Sequence, residues 1–211
     1  MSAYAHHVQR MTSGSAASRA TALASLQENA SLLRNAEGEL LKLVREPGLL
    51  AALNTFLAGN GSEATTALNV LYTLATGQEQ CMIAIFDSPC FPSLKNIAAT
   101  GSSVQLRGWA FSVITWISFM EVGRLKALLD SPGMVALLQA GMKSADITTA
   151  RHAICAVANL SADIATASAM LDSHPDLVQA LVKSFSTDGV CDNFRRKSTY
   201  SRLHVLPSPA S

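Results

Sequence analysis

His152, Cys155 and Asn159 stand three and four residues apart, a spacing that stacks side chains along one face of a helix. Their types are those of a base, a nucleophile and an orienting amide. Three side chains strung along one straight helix do not converge on a single substrate atom, so the set reads as a surface stripe and not as a catalytic centre. No Gly-rich phosphate loop, G-x-S-x-G or H-E-x-x-H occurs, and the sequence is therefore read as non-enzymatic, with no cofactor. Cys81, Cys90, Cys155 and Cys191 lack the paired short spacing of zinc sites. Reduced thiols point to an intracellular, cytoplasmic protein. The adjacent His6 and His7 are read as solvated rather than as a metal pair, so no metal site is assigned.

A repeat positions the stripe. The strings EATTALNVLYTLATG from Glu63, LRGWAFSVITWIS from Leu106 and ARHAICAVANLS from Ala150 superpose at an interval of 43 residues. Four columns stay apolar: Ala67, Ala110 and Ala153; Leu68, Phe111 and Ile154; Leu71, Ile114 and Val157; Leu74, Ile117 and Leu160. Pro47, Pro89, Pro132 and Pro175 recur at steps of 42, 43 and 43 residues, and proline suits the first turn of a helix, where its missing amide has no partner. Apolar residues follow each proline two and five places on, as at Met134 and Leu137, so a second helix begins there. The unit thus has a short first helix, a second helix after the proline and a longer third helix. A period of this length belongs to helical solenoids.

These residues resemble the armadillo repeat family, in the closing pattern AICAVANLS and in a glycine heading the second helix, met at Gly48 and Gly133 but replaced by Cys90 and Asp176 in the other two units. The resemblance runs from about Ala20 to Asp188. It implies an all-α, right-handed superhelix of about four repeats with incomplete ends, and a concave groove lined by third helices. It also implies a non-catalytic scaffold or adaptor that holds a peptide or protein segment. The domain reading is a flexible segment over 1–19, the repeats over 20–188 and a flexible basic tail over 189–211.

Helical phase places the face opposite the apolar columns at Thr66, Asn69 and Thr73, then Trp109, Ser112 and Trp116, then His152, Cys155 and Asn159. Both tryptophans of the chain fall on this stripe, as binding anchors for a partner or as packing against the neighbouring repeat. Armadillo importins pair a Trp with an Asn four residues later in successive repeats. The matching pairs here are Asn69 and Thr73, Ser112 and Trp116, and Cys155 and Asn159, of which only Asn159 fits, so nuclear-signal binding does not carry over.

Charge narrows the partners. The formal net charge is +1, but residues 1–27 hold Arg10 and Arg19 with no acid, and residues 189–211 hold four basic residues against Asp192. The repeats between are therefore net negative, which argues against nucleic acid. The run GWAFSVITWISFM lacks charge over 13 residues, short of the ~20 that span a bilayer. The Ser/Ala-rich, acid-free start also matches an organellar transit peptide, an alternative to a flexible lead-in. RRKS, ending at Ser198, has the spacing of a basophilic phosphosite. The third helix that should follow Asp176–Asp188 has no apolar periodicity in the sequence. Either the tail folds back, a partner covers the end, as for a structural subunit docked into a larger assembly, or the chain is a truncated or alternatively spliced product of a longer protein. Leu177 and Leu181, left uncovered, predict self-association through the C-terminal end.

Overall fold

The computed structural model describes residues 4–34, 36, 38–59 and 61–186. They form thirteen helices: α1 (Ala5–Ser13), α2 (Ala16–Leu33), α3 (Glu39–Val44), α4 (Leu49–Leu57), α5 (Ser62–Ala75), α6 (Glu79–Phe86), α7 (Cys90–Thr100), α8 (Val104–Ile117), α9 (Val122–Leu129), α10 (Met134–Met142), α11 (Ile147–Leu160), α12 (Ile164–Ser173) and α13 (Pro175–Ser186). No strand occurs among the described residues.

The 43-residue period becomes a layered array. Third helices α2, α5, α8 and α11 pack each on the next, and second helices α1, α4, α7, α10 and α13 form a parallel layer beside them. Short first helices α3, α6, α9 and α12 close each turn. Three units are complete, with the second and third helices of a unit before them and the first and second helices of one after. All four apolar columns are buried, from Ala67, Ala110 and Ala153 to Leu74, Ile117 and Leu160. At ~25 cal/mol per Å² of apolar surface removed from water, burial of these columns supplies much of the cohesion of the core.

The junctions explain where the glycine pattern holds and where it lapses. Gly48 (φ 81°) and Gly133 (φ 78°) sit in the left-handed region just ahead of α4 and α10, where a Cβ is strained. Pro89, at φ −64°, leads directly into α7, and Pro175 opens α13. Cys90 and Asp176 therefore need no left-handed residue. The turns close chiefly through backbone, with Leu49, Phe91, Met134 and Leu177 amides donating to the carbonyls of Glu46, Ser88, Ser131 and His174. Third helices α8 and α11 start on side-chain caps, Ser103 Oγ accepting from the Leu106 amide at 3.1 Å and Asp146 Oδ2 from the Thr149 amide at 2.7 Å, whereas Gly61 ahead of α5 supplies none.

Two expectations are corrected. Residues 4–19, expected as a flexible lead-in, form α1 and open α2, because Val8 and Met11 make a short apolar face buried against the array. Ser15 Oγ caps α2 by accepting from the Ser18 amide. Leu177 and Leu181, expected as an exposed patch, are buried at 0% and 7% exposure, because α13 packs on α10, α11 and α12 with that side inward. The tail over 189–211, with Cys191 and Ser198, lies outside the described residues.

Candidate functional site: the third-helix groove

The stripe is carried by α5, α8 and α11, whose stacking fixes which of its residues meet. Trp109 and Trp116, two turns apart on α8, bracket Tyr72 of α5. The ring centroids lie 5.3 and 6.4 Å apart, with interplanar angles of 73° in both pairs. These are edge-to-face contacts, the arrangement favoured by the ring quadrupole. Arg34 stands over the Tyr72 ring at 5.5 Å, and Trp116 meets Phe119 at 5.7 Å. Both tryptophans are half-buried. They pack one repeat against the next, as the packing reading of the stripe expects, and part of each ring stays accessible.

At the other end of α8, Trp109 and Ser112 face His152 of α11 across a cleft of about 270 Å³. Val104, Gln105 and Gly108 form one wall, and Asp146 and Thr148 the other. Val104 and Ile147, the first residues of α8 and α11, occupy the same column at the 43-residue interval and are exposed by 49% and 72%. The Asp146 carboxyl is held below the usual carboxylate range by its hydrogen bonds to Thr149, which keeps a negative charge beside the cleft. Gly108 leaves room for Thr148 and Thr149, with no heavy atom closer than 3.9 Å to where a Cβ would stand.

The remaining stripe residues serve the scaffold. Thr66 and Thr73 hydroxyls donate to the carbonyls of Ser62 and Asn69 within their own helix. Thr73 and Ser112 are buried, and Asn69 is half-buried. Asn159 Nδ2 donates to Ser118 Oγ at 2.8 Å, and Thr115 Oγ1 donates to the His152 carbonyl at 2.9 Å, stitching α11 to α8. The Asn159 amide is thus directed at the preceding helix, away from any triad with His152 and the half-buried Cys155. Sequence reasoning missed Tyr72, Phe119, Arg34, Val104 and Asp146. Tyr72 could have been found as the aromatic member of the column that continues at Thr115 and Ala158.

Two thiols sit in the core. Cys90 Sγ donates to the Leu50 carbonyl at 3.1 Å, and burial pushes its pKa up to about 11. Cys81 is raised in the same direction by burial. Both are protonated packing groups. No group of three or more metal-binding side chains occurs among the described residues, and no single helix there is long and apolar enough to cross a membrane.

No family model matches the chain, and no curated protein matches it. Solved structures do. A computationally designed armadillo repeat protein for modular peptide recognition superposes with a TM-score of 0.75 at 17% identity, over 88% of this chain and 76% of its own. A designed armadillo repeat protein in complex with the peptide (KR)4 gives 0.71 at 15% identity, over 100% and 94%. An engineered protein gives 0.73 at 23% identity, over 89% and 74%. With the three-helix unit, the buried columns and these superpositions together, the chain has an armadillo-type fold, an all-α solenoid.

Proposed function

We propose that the chain is a non-catalytic binding scaffold that holds an extended peptide or protein segment along its third-helix face. The observation that carries this reading is the cleft between α8 and α11, where the exposed Val104 lines a pocket together with Trp109, His152 and Asp146. An aliphatic lip beside an aromatic edge and a few polar groups is what a side-chain pocket needs. The solved relatives in fold include a protein designed for peptide recognition and one holding (KR)4, which agrees with this use of the surface. The test is selection of peptides from an unbiased display library on the full chain, followed by fluorescence anisotropy. Val104→Glu and His152→Ala should weaken binding by about tenfold or more, ~1.4 kcal/mol, with unchanged circular dichroism. Affinity unchanged in both variants would sink the reading.

A second reading is supported at the C-terminal end of the described array. Ile164 of α12 is 85% exposed, and Leu171 and Val182 are exposed nearby in sequence on α12 and α13. Apolar residues at the last described unit suit docking into an assembly or onto a second copy. Sedimentation of the full chain tests this: Ile164→Glu should shift any oligomer toward monomer, and a monomer at all concentrations would exclude self-association.

A further inference from the structure

A second cavity lies in the second-helix layer, outside the groove. It occupies about 660 Å³ between α7 and α10, with Arg107 and Phe111 of α8 at its floor. Its origin is readable from packing. Gly141 draws α10 onto α8 and α11, for a Cβ there would stand 2.5 Å from the Phe111 ring and 2.8 Å from Ala153 Cβ. The column that carries Ile97 in α7 falls to Ala140 in α10, and Ala136 and Ala99 are equally short. The earlier interface, α4 on α7, is instead closed by Ser93 Oγ donating to Asn54 Oδ1 at 2.7 Å and by Cys90 on Leu50.

The charge in this cavity is of one sign. Lys95 and Arg107 line it and no carboxylate does, although the repeats as a whole are acidic. Neither cation belongs to an ion pair among the described residues. Lys95 Nζ donates to Ser131 Oγ at 2.6 Å and to the Pro132 carbonyl at 2.9 Å, at the head of α10, and stands over the Phe91 ring. Arg107 Nη1 donates to the Gly101 carbonyl at the foot of α7. Asp146 is near enough for Arg107 to lower its pKa slightly, but its carboxylate caps α11 and lines the cleft on the other layer. Burial lowers the Lys95 pKa with nothing negative to offset it, so a carboxylate arriving there gains a charge-assisted hydrogen bond in a partly dry site.

We propose that the α7–α10 groove, with Lys95 at its head, Arg107 at its foot and Ala136 and Ala140 between, docks an extended acidic segment of a protein partner. The α10 face from Gly133 to Ser144 spans ~16 Å at 1.5 Å per residue, the reach of about five extended residues. Carboxylates pair with the two cations while short apolar side chains rest on Ala136 and Ala140 between them. This goes beyond the third-helix reading and stands apart from it.

Fluorescein-labelled peptides of alternating Glu–Leu, Gln–Leu and Lys–Leu, titrated by anisotropy against the full chain, test the proposal. The Glu–Leu peptide should bind saturably, weaken with added salt, and bind at least about tenfold tighter than either other peptide. Lys95→Gln retains a donor for Ser131 and Pro132 yet should cost a similar factor, and Ala140→Leu should block the groove. Val104→Glu, on the other layer, should leave this binding unchanged, so that either reading can fail alone. Equal affinity for Glu–Leu and Gln–Leu, or Glu–Leu binding unaltered in folded Lys95→Gln and Ala140→Leu chains, would overturn the proposal. So would saturable binding of free decanoate with none of the peptide.

Discussion

The third-helix and second-helix layers descend from one repeating sequence, yet they join neighbouring units by different means. Between α5 and α8 the gap is filled by large rings, with Trp109 and Trp116 on either side of Tyr72. Between α7 and α10 it is left open, because Ile97 gives way to Ala140 and Gly141 pulls α10 inward. The lesson concerns variable columns. Columns that face a unit's own core stay apolar in every copy, whereas columns that face the next unit are free to be filled, polar or empty. Surfaces available for recognition arise from the second kind.

The largest effect is expected at a core column. Val157→Asp places a carboxylate where exposure is 0%, and the cost, on the order of 4 kcal/mol or more, should abolish the cooperative thermal transition seen by circular dichroism. An undisturbed transition would refute the register. A smaller effect is expected where the layers meet: Gly141→Ala forces its methyl into Phe111 and Ala153 and should cost about 1–3 kcal/mol in chemical denaturation. If the variant were as stable as the parent, the close approach of α10 would be wrong.

The aromatic filling can be sharpened by a double-mutant cycle. Tyr72→Leu and Trp109→Leu should each destabilise, and their coupling should amount to about 0.5–1.5 kcal/mol. Zero coupling would return Trp109 to the role of an exposed anchor that contributes nothing to packing.

The smallest effect lies at the first helix. His7 is buried in α1, its Nε2 meets Asn29 Nδ2 at 3.2 Å, and its Nδ1 has no hydrogen-bond partner. Burial, then His6 and Arg10, push its pKa below the ordinary 6.5. The unfolded chain therefore binds the proton more readily. His7's contribution is complete above pH 6.5 and is lost as pH falls through the lower folded value. The melting temperature should drop across that window, and His7→Gln should flatten the dependence. An unchanged profile in the variant would assign the loss to other groups.

These residues also show how far the sequence could be read. The apolar columns and the prolines were legible because each is a local pattern repeated at one interval. Gly48 and Gly133 were legible because only a left-handed junction needs them. The Tyr72–Trp109 contact was not, for it joins different columns of different units and no periodicity registers it. Helix α1 was hidden because Val8 and Met11 are too few to stand out in a Ser/Ala-rich stretch, and Leu177 and Leu181 were assigned outward because an absent neighbour was imagined on the side that α10 and α11 occupy.

The third-helix face is the recognition surface proposed above. Hydrogen–deuterium exchange on the full chain, with and without a peptide selected from an unbiased library, tests it most directly. Slowed exchange should map to α8 and α11 around Trp109 and His152, and should vanish with Val104→Glu while surviving Ala140→Leu. Protection confined to α7 and α10, or insensitive to Val104→Glu, would contradict the claim.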